Sequence, residues 1–380
     1  MPARREQAIE LMTRFADRTG LTSEHPPRRY LWTDAFAVCN FLGLARTTGD
    51  PRFGELALQL VDRVHHVLGR HRGDDQRRGW ISGLAAEGGE AHPTLAGLRI
   101  GKALPERRPD EPFDERREWD RDGQYFHYLT KWMHALDQVS RYTGQTLFNT
   151  WARELACAAH RAFAYAPRAG GRKRMYWKLS IDLSRPLVAP MGQHDPLDGL
   201  VTAAQLEATA AGSGPSLAEA MADFSSMLDL RGLATGDPLG IGGLLVDAYR
   251  LAQLERQGMR DLGLVETLLD AALLGLQHYS ADADMGSSAS NRLAFRELGL
   301  AIGLATLERD DWRAATGARR EAVARLLRFT PLRAEIEAFW LQPAHRRVDG
   351  WLEHADINDV MLATSLQPEG FVVLAAACPG

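Results

Sequence analysis

The residues best placed for chemistry lie in one stretch, Trp119 to Gly144, which reads WDRDGQYFHYLTKWMHALDQVSRYTG. It opens on charged and aromatic residues, continues as a helix with scarcely any water-facing side, and stops at a glycine. A helix that is apolar nearly all round belongs in the interior of a larger protein. Yet His127, Lys131 and His134 fall at i, i+4 and i+7, on one face of this helix. Histidine exchanges protons near neutral pH, and lysine is a compact, titratable cation. His127, just below the Asp120-Arg121-Asp122 entrance, is therefore a candidate for proton transfer. His134, two turns further on, reads as a core histidine with its ring nitrogens satisfied.

Four carboxylates join His127 as candidates for acid/base work. Asp34 sits within the apolar run 30–46, where an unpaired carboxylate is expensive, so it is either paired with an arginine or catalytic. Glu297 is placed in the same way in the apolar run 291–308. Asp198 opens the helix of 197–210, and Asp356 opens that of 355–366, where helix capping is an equal reading. Asp122 has the same alternative. Asp195-Pro196 and Asp237-Pro238 read as caps followed by proline in the first helical turn.

Around these stand groups that suit binding. Arg29, Lys131 and Arg292 could orient an anionic or hydroxyl-rich ligand. Trp32, Trp80, Tyr125, Trp177 and Trp351 offer flat apolar walls, and Asp120, Asp122, His194 and His354 bring polar groups from the neighbouring loops. Aromatic faces with carboxylates between them suit a sugar, whose ring presents C–H faces and an equator of hydroxyls.

The composition narrows the field. Lys+Arg 45 against Asp+Glu 49 leaves a net charge of -4, which provides no basic field for nucleic acid. Cys39, Cys157 and Cys378 are scattered and odd in number, against both a disulfide framework and a cysteine zinc site. No phosphate loop, HExxH or GxSxG occurs. Asp282 to Ser287 lacks the later ligands of a calcium loop and reads as a polar loop. No metal or cofactor is expected. The N-terminus has no signal-peptide run, and no segment has the roughly 20 apolar residues of a membrane span, so a cytoplasmic protein without membrane partners is expected.

The elements that must position these residues alternate. Apolar helices at 30–46, 125–143, 197–210, 239–255, 291–308 and 355–366 are interleaved with amphipathic ones, beginning at 3–18 and 52–70. Tyr30 to Phe53 can be written over Tyr125 to Phe148 without a gap, with five identities in 24 positions and a shared helix, Thr-Gly turn, helix plan. Connections out of the apolar helices are short. Those leading into them are long, above all the Gly-, Arg- and Pro-rich insert of residues 71–122, in which Trp80, Ile81, Leu84, Leu95, Leu98 and Ile100 are expected to pack down.

Six inner and six outer helices with all the long loops on one face predict an all-α (α/α)6 barrel, a toroid formed by residues 1–380 as one domain, with the insert 71–122 over its pocket. An open solenoid, with its even repeats and short loops, fits less well. The plan resembles the six-hairpin glycosidase-like and N-acylglucosamine 2-epimerase-like proteins over nearly the whole chain, in layout and without a diagnostic motif. That resemblance implies a small-molecule sugar substrate and acid/base catalysis, as glycoside hydrolysis first and sugar epimerisation second. A toroid that binds a metabolite or protein without turnover is the reading from another class. The oligomeric state is not set by the sequence.

Overall fold

The computed structural model describes residues 2–168, 170–212, 214–282 and 286–375. The side chains of the acidic stretch 282–285, and Cys378, lie outside the described residues. The chain is mainly helical. In order, the helices are α1 (Pro2–Arg18), α2 (Leu31–Thr48), α3 (Pro51–Leu68), α4 (Ala86–Ala91), α5 (Glu115–Asp120), α6 (Phe126–Thr143), α7 (Thr146–Phe163), α8 (Asp195–Ala208) and α9 (Ala218–Met227). They continue as α10 (Pro238–Arg256), α11 (Val265–Asp282), α12 (Ala294–Leu307), α13 (Gly317–Leu326), α14 (Pro331–Leu341), α15 (Asp349–Leu352), α16 (Ala355–Leu366) and α17 (Glu369–Val372). Among the described residues no helix is long and apolar enough to cross a membrane.

Two compact units emerge. Among the described residues the first comprises 19–42 and 51–228 with Ala375, and the second comprises 2–18, 43–50 and 229–374. In the second unit α10 packs on both α11 and α12, and α16 packs on α1 and α12. The α10–α12 crossing is made by glycine. A Cβ on Gly242 would lie 2.1 Å from the carbonyl oxygen of Gly299, so the two backbones touch and no side chain fits between them.

In the first unit α6 packs against α7 and α8, and α8 against α9. No residue of α6 is exposed, as its sequence requires. Trp132 is fully buried, and its indole N–H donates to Nε2 of His65 on α3 at 3.2 Å. Burial pushes the His65 imidazole down to about 3, which keeps that nitrogen an acceptor. His134 is the expected core histidine: its Nδ1 lies 3.0 Å from Oε1 of Gln205 on α8. Because Oε1 only accepts, Nδ1 carries the proton.

The proposed duplication is visible in the helix bounds. The pairs α2/α3 and α6/α7 consist of four helices of 18 residues each, and every boundary of the second pair lies 95 residues after its counterpart. Their turns match atom for atom. Gly49 and Gly144 both adopt left-handed φ, 72° and 73°, a conformation that costs glycine little. Thr48 and Thr143 each donate to the carbonyl four residues back, Leu44 at 2.7 Å and Val139 at 2.9 Å, and each accepts from the N–H two residues on.

The insert 71–122 is tied to the first turns of the repeated hairpins. Leu31 N–H donates to Ile100 C=O at 3.0 Å, and Ile100 N–H to Gly123 C=O at 2.8 Å, so one residue spans the starts of α2 and α6. Leu98 and Ile100 are wholly buried and Trp80 and Ile81 nearly so. Leu84 and Leu95 differ from expectation, each 37% exposed: they lie in non-helical chain on either side of the short helix α4, where only part of each side chain is covered.

The segment 165–196, the long connection from α7 to α8, contains short strands. In one sheet β1 (Gln124–Tyr125) pairs with β4 (Lys178–Leu179), which pairs with β5 (Pro186–Val188); in a second, β2 (Ala164–Tyr165) pairs with β3 (Arg174–Met175). All pairings are antiparallel. Strands of two or three residues are too short to produce a readable alternation.

The centre of the first unit is a buried carboxylate. Asp137 of α6, wholly buried, accepts from Arg141 Nε at 2.7 Å, from Gln205 Nε2 at 2.6 Å and from Asn149 Nδ2 at 3.2 Å, with Thr209 Oγ1 completing the set. These donors come from α6, α7 and α8 and from the residue that ends α8. Asp137→Ala is expected to lower the free energy of unfolding by about 3–5 kcal/mol, since it strands the Arg141 guanidinium and two amides in the core. Urea unfolding measures this; a loss below about 1 kcal/mol would show that the carboxylate is not the tie between the helices.

Candidate functional site

The first turns of α2, α6 and α8 bring several of the predicted residues together in the first unit. His127, the second residue of α6, occupies the position that Trp32 holds in α2 in the repeated hairpin. The two rings meet edge to face with centroids 6.1 Å apart. Tyr125 stacks on the His127 ring at 5.3 Å, Trp177 lies nearly parallel to it at 6.1 Å, and Tyr128 meets it edge-on at 4.9 Å. Tyr30 closes the group with its hydroxyl 2.7 Å from that of Tyr128.

One polar side of this aromatic enclosure faces α8. Lys131 Nζ grips both carboxylate oxygens of Asp198, at 2.8 and 2.9 Å. His127 Nδ1 lies 3.9 Å from Oδ1 of Asp195, beyond direct hydrogen-bonding distance. Asp195 is the first residue of α8 and does not cap it; its Oδ2 instead accepts from the Gly192 N–H at 3.1 Å.

The surroundings push the two groups of this pair in opposite directions. Burial, with the Asp198 charge adding to it, raises the Asp195 carboxyl to about 7, against the opposing pull of the Gly192 N–H and Lys131. Burial lowers the His127 imidazole to about 4, with Asp198 pulling it up and Lys131 pushing it down. Near neutral pH the histidine is therefore a neutral base beside a carboxyl that is divided between acid and anion. That is what proton transfer needs, and one hydroxyl placed beside two atoms 3.9 Å apart can lie about 2.8 Å from each.

The strands hold the aromatic walls. Tyr125 ends β1, and the Trp177 N–H donates to the Val188 carbonyl of β5 at 3.1 Å. Next to it the fully buried Lys178 donates to the Glu118 carboxylate at 2.9 Å and to the carbonyls of Glu118 and Arg121, both at 2.8 Å. All three donors of this ammonium are used, which makes Lys178 structural.

Other predicted residues take structural places in the same unit. Asp34 is buried and accepts from the Tyr30 N–H at 3.0 Å and from Arg29 at 3.3 Å, while Arg29 also donates to the Thr19 carbonyl at 2.6 Å. Asp34 is thus paired with an arginine, as the first of its two readings has it. Asp122, wholly buried, accepts from Arg99 at 2.6 Å and from the Gly101 N–H at 2.9 Å, so it fastens the insert and does not face a ligand. Trp80 is buried beneath the Arg70 guanidinium, 4.6 Å from it, and Asp120 points to solvent. His194, half-buried, precedes Asp195 as the residue that flanks α8.

In the second unit, Glu297 accepts from Arg292 at 2.8 and 2.7 Å and from the Trp340 indole at 2.7 Å. The Arg292 guanidinium lies 3.7 Å over Phe339, and Trp351 packs on Trp340. This buried carboxylate is saturated by its partners. Asp356 pairs with Arg18 at 2.5 Å, and His354 is exposed. The capping reading holds for Asp237, which accepts from the Gly240 N–H at 3.2 Å.

Sequence reasoning missed Asp195, Tyr128 and Tyr30. Asp195 gave a signal that was misread: it precedes Asp198 by three residues, so the two share a helix face, but the following proline made it resemble a cap. Among the described residues no group of three or more His, Cys, Asp or Glu could hold a metal ion.

No protein-family model and no curated protein matches the chain. Solved structures do resemble its fold. A cellobiose 2-epimerase from Spirochaeta thermophila is 13% identical, with 91% of this chain and 87% of that one covered and a TM-score of 0.49. A sugar epimerase from a ruminal bacterium is 10% identical over 89% and 87%, with a TM-score of 0.46. A D-mannose isomerase is 12% identical over 86% and 85%, again with a TM-score of 0.46. Each is a likeness of helical plan at low identity, with no residue correspondence attached.

The opposed displacements of His127 and Asp195 have a measurable consequence. Between about pH 4 and pH 6.5 the folded chain holds an extra proton at Asp195 and lacks one at His127, relative to ordinary values of 3.8 and 6.5, so their contributions cancel. Removing one group exposes the other. In His127→Gln, stability relative to the wild type should fall by about 1.4 kcal/mol per unit as pH rises from about 4 to 6.5. In Asp195→Asn it should rise by a similar slope from about 4 to 7. Urea unfolding across this range checks the signs; parallel profiles for all three proteins would refute the opposed displacements.

Proposed function

We propose that the chain is an enzyme that moves a proton at a carbon next to a sugar carbonyl, as a sugar epimerase or isomerase does. The observation that carries this reading is the neutral imidazole of His127 held 3.9 Å from the raised carboxyl of Asp195. His127 accepts the proton from the carbon beside the carbonyl, and the electron pair of that C–H bond moves toward the carbonyl oxygen. Asp195 in its acid form supplies a proton to that oxygen, which gives a neutral enediol. Delivery of a solvent-derived proton to the same carbon from the other face yields the epimer, and return of the His127 proton to the neighbouring carbon yields the isomer; in each case the Asp195 carboxylate takes back the proton of the hydroxyl that becomes the carbonyl.

Glycoside hydrolysis, the first expectation from sequence, is supported less well. It asks for two working carboxyl groups about 5 to 10 Å apart on either side of the scissile bond. Here the carboxylate that neighbours Asp195 is Asp198, and Lys131 occupies both of its oxygens. In our reading Lys131 and Asp198 set the field in which the pair titrates, while Trp32, Tyr125 and Trp177 receive the apolar face of the sugar ring.

The test is deuterium exchange. A panel of free aldoses incubated with the protein in D2O and followed by NMR should yield a second sugar that carries deuterium on the carbon adjacent to the carbonyl. His127→Asn should reduce the rate by about 10²–10⁴-fold. Cleavage of glycosides without exchange would restore the hydrolase reading, and binding with neither reaction would leave a non-catalytic protein.

A further inference from the structure

A cleft of the first unit takes no part in the reaction proposed above, since neither His127 nor Asp195 lines it. Its volume is about 590 Å³, within the size range of small-molecule sites. One border is α5 with the residue before its cap. Asp114 accepts from the Arg117 N–H at 3.1 Å, which fixes the first turn of that helix. Glu115 and Trp119, four residues apart, then share a helix face, and both line the cleft. Phe113 is 57% exposed and Trp119 46% exposed, a large aromatic area to leave against water. Tyr125 and Trp177 add two further rings, and Trp119 meets Trp177 edge to face at 5.2 Å.

The polar groups of the lining are of two kinds. Arg107 and Glu118 serve the fold: Arg107 donates to Glu118 at 3.0 Å and to the Leu187 carbonyl at 3.0 Å, and the other Glu118 oxygen receives Lys178 at 2.9 Å. The Glu115 carboxylate and the indole N–H groups of Trp119 and Trp177 are uncommitted, with no hydrogen-bond or ion-pair partner among the described residues.

These free groups state what a ligand must bring. A carboxylate accepts and an indole N–H donates, so the ligand must both donate and accept, and it must offer an apolar face to the rings. A neutral pyranose does all three, with hydroxyls for Glu115 and the indoles and C–H faces for the aromatic walls. An organic cation would suit Glu115 but leave both indoles without an acceptor. It would also meet like charge, because the Arg107 guanidinium already lies 5.7 Å from the centre of the Phe113 ring and the Lys178 ammonium 5.3 Å from that of Tyr125. An anion would meet Glu115, and a purely aromatic ligand would satisfy neither kind of polar group. We infer that the cleft is a second, non-catalytic saccharide site, which holds a neutral pyranose ring whether or not that ring has a free carbonyl. The inference stands on the cleft alone and does not rest on the reading of His127.

Proton–nitrogen correlation spectra of the nine tryptophan indoles follow the cleft directly, with the Trp119 and Trp177 signals identified by their loss in Trp119→Phe and Trp177→Phe. The probes are methyl β-D-glucopyranoside, methyl α-D-mannopyranoside and methyl β-cellobioside, which have no free carbonyl, with choline and 2-naphthalenemethanol as the cationic and aromatic probes. At least one glycoside should shift the Trp119 signal saturably, with a dissociation constant of about 10 mM or tighter. Glu115→Gln, which keeps the shape and removes the charge, should weaken that binding about threefold or more. Trp119→Ala, read on the Trp177 signal, should weaken it about tenfold or more. Both variants should exchange deuterium into free aldoses at the wild-type rate, and circular dichroism establishes that they are folded.

A Trp119 signal that no glycoside moves, glycoside binding indifferent to both substitutions, or choline or 2-naphthalenemethanol binding more tightly than every glycoside in a Trp119-dependent way would each overturn the inference. Deuterium exchange that falls together with glycoside affinity would make the cleft part of the reacting site and overturn it as well. Failure of the His127 reading looks different: the wild type would then show no exchange, while the glycoside titration and its dependence on Glu115 and Trp119 stood unchanged.

Discussion

Everything in the first unit depends on one buried charge, the carboxylate of Asp137. Ionised carboxylates are seldom left in an apolar interior without full compensation, and this one is compensated by donors from three consecutive helices. Burial of leucine and alanine brings α6, α7 and α8 together, but apolar contact is tolerant of sliding. A carboxylate with four directional donors is not. Arg141 extends the constraint by donating to the Ala375 carbonyl at 2.9 Å, which fastens the end of the described chain to the same point. The register of α6 against α8 is thereby set in their second halves, and their first turns, which carry His127, Lys131, Asp195 and Asp198, inherit it. A site made from two helices can hold a 3.9 Å separation only if those helices cannot slip.

Charge is then distributed unevenly around the site. Lys131 and Asp198 pair at short range, and their charges still act on Asp195 and His127, two neighbours with little water around them. Desolvation dominates both, and because it disfavours whichever form is charged, it moves an acid up and a base down. One physical cause thus produces a matched donor and acceptor from two ordinary side chains. The aromatic rings around them are part of that cause, since they exclude water as well as offer faces to a ligand.

Much of the helical plan was legible in the sequence because helices of 18 residues carry several turns of periodic signal. The Thr-Gly turns and the register of the duplicated hairpin were legible for a related reason: glycine at a left-handed position and threonine four residues after a carbonyl are local requirements. His127, Lys131, Asp198, Trp32, Tyr125 and Trp177, which lie together in the structure, stood out in the sequence because polar or bulky groups at the mouth of an apolar helix contradict its pattern. What was not legible depends on partners distant in the chain. Nothing local distinguishes Asp34, held by Arg29, from a working carboxylate, and nothing local reveals that Asp195 faces a histidine 68 positions before it. The short strands that hold Trp177 escaped for want of length, and the packing of Leu84 and Leu95 was overestimated because hydrophobic type alone does not say which side of a turn a residue occupies.

The matched hairpins carry a consequence for how this chain tolerates change in length. A residue added to or removed from an α-helix turns everything beyond it by about 100°. Within α6 such a change would swing His127 and Lys131 away from α8 or carry Asp137 out of its ring of donors, so that hairpin is closed to insertion and deletion. Between the hairpins no such phase relation exists. The chain need only leave α3 and return at β1, and the 52 residues of the insert 71–122 occupy that gap. The repeat thus behaves as a fixed measure with one elastic interval, and new recognition elements can be fitted into that interval without disturbing the phase of the site.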